Sequence, residues 1–293
     1  MPTFTPAAFD YYSVSSLEEA IRMIEEKEDA KILAGGQSLL AMMKLRLLTP
    51  GALVDIGKVP GLDYVREEGD HVAIGALATH QIIHESEIIK SKCPLLSDAA
   101  GRIGDVQIRN RGTIGGSISH ADPAADYPPA LLALGGKVFI WGKDGGRVVD
   151  AEDFFLDVFT TALKPAELVR EVRVPLARAH EGHAYIKFIK RESEFATVSV
   201  AVRLVLDRVR QVEEVRVALG AMANKAIRAL AVEDRLRGKR ISEELIEEAS
   251  NVADEGTSPP TDVHASAEYR RHLAKVLTKR ALLQALSESE GRR

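Results

Sequence analysis

Two glycine-centred segments contain the residue types best suited to chemistry in this sequence. The first is Ala34-Gly35-Gly36-Gln37-Ser38, and the second is Thr113-Ile114-Gly115-Gly116-Ser117. Adjacent glycines lack a Cβ and accept positive φ, so their backbone N–H groups can turn toward a ligand. Phosphate suits such rows of donors, although Gly-Gly also marks ordinary turns. Because there are two segments with hydroxyl residues beside them, we expect them to hold one pyrophosphate from two sides.

Two other nucleotide-binding motifs do not fit the sequence. A dinucleotide fingerprint needs three spaced glycines that open a helix, and that pattern is absent. A nucleoside triphosphatase loop needs Gly, four residues and then Gly-Lys-Ser/Thr, whereas Gly136 to Asp144 has five intervening residues and no hydroxyl. What remains is a pyrophosphate held without a bound magnesium ion, which suits a dinucleotide cofactor kept as a prosthetic group.

Composition limits the partners and the location of the chain. The 293 residues include 39 Lys and Arg against 43 Asp and Glu, so no overall basic field favours nucleic acid. Cys93 is the single cysteine and cannot alone hold an iron-sulfur cluster, so any cluster must lie on another chain. No apolar run approaches the roughly 20 residues of a transmembrane helix, and Met1-Pro2-Thr3-Phe4 does not begin a signal peptide. We therefore expect a cytoplasmic protein.

Hydrophobic periodicity predicts a mixed chain of helices and strands that must position the two segments. A small α/β unit ends near Ile56, and a strand over 71–79, helices over 81–89 and 95–103, and a hairpin at Asp144-Gly145 follow. After Pro175, three strand-like runs precede several helices. We predict a first domain over 1–175, with subdomains of about 1–57 and 58–175, and a second domain over 176–293.

The two glycine segments, followed by Ala121-Asp122-Pro123 and Asp126, identify a known family by their order and spacing. From about Phe4 to Leu286 the chain resembles the FAD-binding medium subunits of the molybdenum hydroxylases, which include carbon monoxide dehydrogenase and xanthine dehydrogenase. The resemblance implies an α+β fold: a two-subdomain FAD-binding domain of the PCMH type, then a C-terminal domain with a three-stranded antiparallel sheet and helices.

The resemblance also implies which residues bind FAD. Asp126 corresponds to an aspartate that contacts FAD hydroxyls, which fits the capacity of a carboxylate to accept hydrogen bonds from sugar alcohols. Phe195 falls where relatives place an aromatic or apolar residue beside the isoalloxazine, with Glu194 replacing the usual aspartate before it. The implied cofactor-binding residues are Lys31, Ile32, Leu33, Ala34, Gly35, Gly36, Gln37, Ser38, Ile103, Thr113, Ile114, Gly115, Gly116, Ser117, Asp126, Val169 and Lys187. We expect no catalytic acid–base set and no metal site in this chain.

By the same resemblance, the chain is an FAD-dependent oxidoreductase subunit that transfers electrons but does not bind the substrate. A large molybdenum-cofactor subunit and a small subunit with 2Fe-2S clusters would be its partners, in a dimer of heterotrimers, and an external acceptor would take the electrons from FAD. Two alternatives stay open: a stand-alone flavin-dependent reductase or oxidase, and a non-redox nucleotide-binding protein.

Histidines and acids near the glycine segments allow a metal site as a further alternative. His80 and His84 are four residues apart on a predicted helix, but no third ligand is evident, and a solvated helix face is the preferred interpretation. His120, Asp122 and Asp126 could form a second cluster, which a turn beside the flavin explains better.

Overall fold

The computed structural model describes residues 5–291, so Met1 to Phe4 and the last two arginines, which fall within the two predicted domains, lie outside it. The first unit is a parallel sheet of three strands in the order β1-β3-β2, with helices beside it. It comprises β1 Asp10–Ser13, α1 Leu17–Glu26, β2 Ala30–Leu33, α2 Leu39–Lys44 and β3 Ala52–Asp55. Parallel neighbours require crossover connections, and the β2–β3 crossover carries the first glycine segment.

The second unit is built on five antiparallel strands in the order β4-β5-β10-β6-β7. Its strands are β4 Val65–Glu68, β5 His71–Gly75, β6 Lys137–Gly142, β7 Gly145–Asp150 and β10 Leu168–Pro175, with β8 Phe155–Asp157 and β9 Thr160–Thr161 as a separate pair. Its helices are α3 His80–Glu85, α4 Glu87–Lys92, α5 Pro94–Gly101, α6 Val106–Arg109, α7 Ile114–His120, α8 Tyr127–Leu134 and α9 Ala151–Phe154. The hairpin predicted at Asp144-Gly145 is present, as β6 paired with β7.

The C-terminal part is an antiparallel sheet covered by helices. It comprises β11 Glu181–Phe188, β12 Val198–Leu206, β13 Val212–Gly220, β14 Ile227–Arg228, α10 Leu230–Leu236, α11 Glu243–Ser250 and α12 Ala267–Gly291. The three predicted strands are its long members, and two-residue β14 adds a fourth to the order β11-β12-β13-β14. The sequence did not predict β14, because two residues are too few to show a strand period.

Helix α8 joins the second unit to the C-terminal sheet. All eight of its residues are buried, and it packs on both β12 and β13. One apolar core therefore includes Leu131 of α8 together with Tyr185 of β11 and Ala201 of β12. A helix that is apolar all round belongs in such an interior. Burial on both sides fixes the start of α8, where Asp126 lies.

Candidate functional site

The first glycine segment forms the loop between β2 and α2. Gly36 has φ +75°, a backbone conformation that side chains with a Cβ rarely adopt. Within residues 5–291, the N–H groups of residues 35–39 donate to no other group of the protein. Leu40 is the first amide after the loop that donates, to the Gly36 carbonyl. The loop therefore presents a row of unused amide donors, the arrangement that binds anions.

The second glycine segment is helical, so its N–H groups do not turn toward a ligand as the sequence analysis expects for both segments. Thr113 is the N-cap of α7, and its hydroxyl accepts from the N–H of Gly116 at 3.2 Å. The N–H of Ile114 donates to the Ala78 carbonyl at 3.1 Å, and that of Gly115 donates to the Ala76 carbonyl at 2.9 Å. Most donors of this helix start are thus already used inside the protein, and neither glycine has positive φ.

Close packing explains the glycines of the second segment. A Cβ on Gly115 would lie 2.6 Å from the Cβ of Ala76 and 2.7 Å from the Ala76 carbonyl oxygen. A Cβ on Gly116 would point toward Ala34, 3.7 Å from its Cβ, and would lie 3.0 Å from the Thr113 hydroxyl. The missing side chains let α7 approach both the turn after β5 and the first glycine segment.

The two segments meet in space, as the sequence analysis predicts. A Cβ on Gly35 would overlap the carbonyl oxygen of Arg111 and lie 2.7 Å from the Cα of Gly112. A cleft of about 410 Å³ opens at this contact, and Gly35, Arg111 and Thr113 are among the residues that line it. Lys58, exposed on the loop after β3, lines the same cleft. Two cationic side chains, Lys58 and Arg111, therefore border the junction of the glycine segments.

A second group of predicted residues surrounds the carboxylate of Asp126. Asp126 is only 3% exposed. Its Oδ1 accepts from the hydroxyl of Tyr185 at 2.6 Å, and its Oδ2 accepts from Nζ of Lys187 at 3.0 Å. Lys187 also donates to the carbonyl oxygen of Arg102 at 3.0 Å, next to half-buried Ile103. Burial raises the pKa of Asp126, while Lys187 and Tyr185 act in the opposite direction.

The other predicted residues lie on the strands and loops around these two groups. Lys31 is exposed and Ile32 half-buried on β2, whereas the side chain of Ile114 is fully buried in the core. Val169 is buried on β10, beside a bulge in its pairing with β6. Phe195 is exposed, and the N–H of the following residue donates to the Ala124 carbonyl at 3.4 Å. This bond brings the β11–β12 loop to the segment before Asp126.

The histidines of α3 do not form the solvated face that the sequence favours. His80 is 4% exposed, and its Nδ1 lies 3.0 Å from the hydroxyl of Tyr127. Burial lowers the pKa of His80 to about 4. His84 is half-buried with Nδ1 3.1 Å from the Ser97 carbonyl oxygen, because α3 packs on α5. Among residues 5–291, no group of three or more potential metal ligands is found.

Comparison with known proteins decides the family. The FAD binding domain in molybdopterin dehydrogenase matches residues 7–177, and the CO dehydrogenase flavoprotein C-terminal domain matches residues 183–285. The chain belongs to this molybdopterin dehydrogenase flavoprotein family. The α+β fold and FAD as cofactor, both expected from the resemblance, are confirmed. The chain is an FAD-binding medium chain of the molybdenum hydroxylase type, an oxidoreductase subunit.

Relatives that are named for different enzymes are similar to this chain to nearly the same degree. The glyceraldehyde dehydrogenase medium chain of Sulfolobus acidocaldarius is 39% identical, over 94% of this chain and 98% of that one. The nicotine 6-hydroxylase medium subunit of Paenarthrobacter nicotinovorans is 38% identical, over 95% and 97%. A solved chain of carbon monoxide dehydrogenase from Hydrogenophaga pseudoflava superposes with a TM-score of 0.94 at 39% identity, covering 97% of this chain and 99% of that chain.

Besides Lys58, Tyr185 is a residue of the candidate site that sequence reasoning missed. It lies on β11 two residues before Lys187, so the two side chains leave the same face of the strand. That spacing is the signal by which Tyr185 could have been found.

In the part of the chain that the structure describes, no helix has both the length and the apolar character of a membrane span.

Proposed function

We propose that the first glycine segment binds the FAD pyrophosphate through its backbone amides. The unused N–H groups of residues 35–39 support this assignment, because a phosphate oxygen accepts several such donors at once. Lys58 and Arg111, both exposed at the adjoining cleft, add positive charge beside the anion. In this proposal, the pyrophosphate site has two walls, formed by Lys31 to Ser38 and by Thr113 to Ser117. Helix α7 contributes mainly through the close approach of its backbone to the first glycine segment.

The buried carboxylate group forms the second part of the proposed site. Asp126 would accept hydrogen bonds from FAD hydroxyls, since each of its oxygens keeps an acceptor position beyond the bond to Tyr185 or Lys187. Ile103 and Val169 would pack against apolar parts of the cofactor. Bound FAD supplies redox chemistry, because it accepts electrons singly and releases them singly or in pairs. The protein binds it, orients it and adjusts its surroundings.

We further propose that this subunit passes electrons from 2Fe-2S clusters on a small partner subunit to an external acceptor. A large subunit with the molybdenum cofactor would bind the substrate, and two heterotrimers would form a dimer. Cys93 is the single cysteine and is buried as a free thiol. This supports two parts of the proposal: that the clusters lie on another chain, and that the protein works in a reducing cytoplasm. The domains would divide between β10 and β11, in the segment 176–180.

The row of unused amides carries the proposal, and a glycine pair tests it. Gly36→Ala puts a Cβ at φ +75°, and Gly69→Ala does the same at φ +60° in the turn between β4 and β5. Both changes strain the backbone by about 1 kcal/mol, and the Cβ at Gly36 would also lie 2.9 Å from Cδ1 of Leu40, whereas the one at Gly69 meets nothing within 4 Å. We expect Gly36→Ala to lower FAD affinity at least tenfold and Gly69→Ala to leave it unchanged, measured by flavin fluorescence titration of the full chain after FAD removal.

Equal FAD affinity in the two variants would contradict the pyrophosphate assignment.

Electron transfer has its own test, in which the purified chain with FAD is assayed with and without the two partner subunits. Substrate turnover by the single chain would favour the stand-alone reductase or oxidase. We expect substrate-dependent reduction of its flavin only when both partners are present.

A further inference from the structure

Asp126 is held by two side chains that come from one strand beyond the proposed domain boundary. Asp126 precedes α8 within the matched FAD-binding segment, whereas Tyr185 and Lys187 lie on β11 within the matched C-terminal segment. The bonds of 2.6 Å and 3.0 Å use one position on each carboxylate oxygen. The carboxylate of Asp126 does not cap its own helix. Its orientation is therefore set by β11.

Tyr185 is nearly inaccessible to solvent, with 4% exposure, and its ring belongs to the core that includes α8. A buried hydroxyl needs a partner, and the Asp126 carboxylate is the acceptor for this one. At 2.6 Å the bond has the length of a hydroxyl donating to a carboxylate, and hydrogen bonds to ionised groups are roughly twice as strong as neutral ones. Tyr185 thus contributes to the ionisation and the aim of Asp126 without carrying a charge.

The charged and titratable groups around Asp126 come from three elements. Lys187 and Tyr185 face it from β11, Arg102 lies after α5, and Tyr127 is on α8. Lys187 and Arg102 favour the ionised carboxylate, and so does the hydrogen bond from Tyr185, whereas burial opposes it. If the Tyr185 donor were removed, the pKa of Asp126 would rise and a larger fraction of its carboxylate would be protonated.

We propose that Tyr185 is a positioning residue for FAD, which fixes the orientation of the Asp126 carboxylate and directs its free acceptor positions toward the cofactor hydroxyls. This inference rests on the proposed role of Asp126 as an FAD ligand. Binding of FAD is then coupled to the packing of β11 against α8, because the same carboxylate serves both. A loss of the Tyr185 hydroxyl weakens FAD binding even though Tyr185 itself need not touch FAD.

The test uses Tyr185→Phe with Tyr127→Phe as its matched control. Both substitutions remove one buried tyrosine hydroxyl from the same core, but that of Tyr127 is bonded to His80 and not to Asp126. FAD affinity of the full chain is measured by fluorescence titration across the acidic to neutral pH range. We expect Tyr185→Phe to weaken binding about tenfold at neutral pH, the effect expected if the misplaced carboxylate loses one of its hydrogen bonds to FAD.

The pH profile separates positioning from a general loss of structure. FAD affinity should fall as Asp126 takes up a proton, and Tyr185→Phe should move the midpoint of that fall to higher pH. Tyr127→Phe should leave the midpoint where the unmodified chain has it. Identical midpoints in Tyr185→Phe and Tyr127→Phe would overturn the inference, and so would equal FAD affinities. The thermal melt of each variant without FAD provides the measure of folding.

Asp126→Asn distinguishes failure of this inference from failure of the proposed site. If Asp126→Asn binds FAD as tightly as the unmodified chain, the assignment of Asp126 as an FAD ligand is wrong and the role of Tyr185 falls with it. If Asp126→Asn weakens binding while Tyr185→Phe behaves like Tyr127→Phe, only the positioning role is wrong. We expect Asp126→Asn to weaken binding and to abolish the acidic fall in affinity.

Discussion

Gly36 and Gly115 belong to similar sequence motifs but serve different physical purposes. Gly36 takes a positive φ in a loop whose following amides are unused, whereas Gly115 lies in the first turn of α7 against Ala76. In the first segment the absent Cβ permits a backbone conformation, and in the second it permits contact between two backbones. The same dipeptide therefore supplies donors in one place and close packing in the other.

The comparison shows that a glycine pair is not sufficient evidence of a phosphate cradle. Amides of the second segment already donate hydrogen bonds to Ala76, Ala78 and Thr113, so few of its donors are available to an anion. Its contribution is the surface against which the first segment rests, through the contact of Gly35 with residues 111 and 112. We expect substitutions in the second segment to act mainly on stability and those in the first to act mainly on FAD binding.

Gly115→Val should have the largest effect on stability. Its Cβ would lie 2.6 Å from the Cβ and 2.7 Å from the carbonyl oxygen of Ala76, and neither atom can move without shifting the turn after β5. We expect a loss of about 3 kcal/mol, measured by urea unfolding. Gly116→Ala is the control, since its Cβ meets only the Thr113 hydroxyl at 3.0 Å and Ala34 at 3.7 Å. Comparable losses in both variants would contradict the packing role assigned to Gly115.

Mild acid should weaken the second segment through His80. The backbone N–H of His80 donates to the Gly112 carbonyl at 3.0 Å, and burial lowers its side-chain pKa to about 4, from 6.5. Because the unfolded chain binds the proton more tightly, stability is complete above pH 6.5 and falls as the pH drops toward 4. We expect His80 to account for a loss of about 2 kcal/mol between pH 7 and pH 5.

His80→Gln provides the comparison for this acid effect. The substitution removes the titrating ring, so the unfolding free energy of the variant should change less over the same pH interval. Urea unfolding at both pH values gives the difference. A pH dependence as steep in His80→Gln as in the unmodified chain would assign the acid sensitivity to other groups.

Thr113→Val tests the cap that makes the second segment helical. It removes the hydroxyl that accepts from the N–H of Gly116 while keeping the branched shape. We expect a loss of about 1 kcal/mol of stability, the usual effect of losing an N-cap. Thr113→Ser keeps the hydroxyl and should retain most of that stability in thermal unfolding. Destabilisation in Thr113→Ser without a loss in Thr113→Val would show that the methyl group, and not the cap, matters.

Lys58→Met and Arg111→Met should have the smallest effects, and only on FAD binding. Both cations line the cleft beside Gly35, and exposed charges attract an anion weakly. We expect FAD affinity to fall about threefold in each variant at low salt and to match the unmodified chain in high salt, because salt screens exposed charges. Lys239→Met, in an exposed turn of the C-terminal part, is the control. A salt-independent loss would mean that the side chain packs against FAD.

Local sequence signals predicted most of the elements. The strand predicted over 71–79 is found as β5 His71–Gly75 and the helix predicted over 95–103 as α5 Pro94–Gly101, and the Asp144-Gly145 step lies in the hairpin of β6 and β7. Helix α7 was not predicted, because Gly115 and Gly116 are poor helix formers and only the cap and the packing against Ala76 stabilise them there. Helix α8 has no polar face, so it shows no amphipathic period in the sequence.

The family and the FAD cofactor were predicted from the sequence, because the resemblance depends on residue types at short spacing in the two glycine segments and near Asp126. The fold was needed to show that Gly35 rests against residues 111 and 112, and that Asp126 accepts from Tyr185 and Lys187 on β11. Those contacts join residues distant in the chain, and the packing that brings them together has no local signature. The tertiary structure likewise decided which amides remain free, since a donor is available only if no neighbouring acceptor has been folded against it.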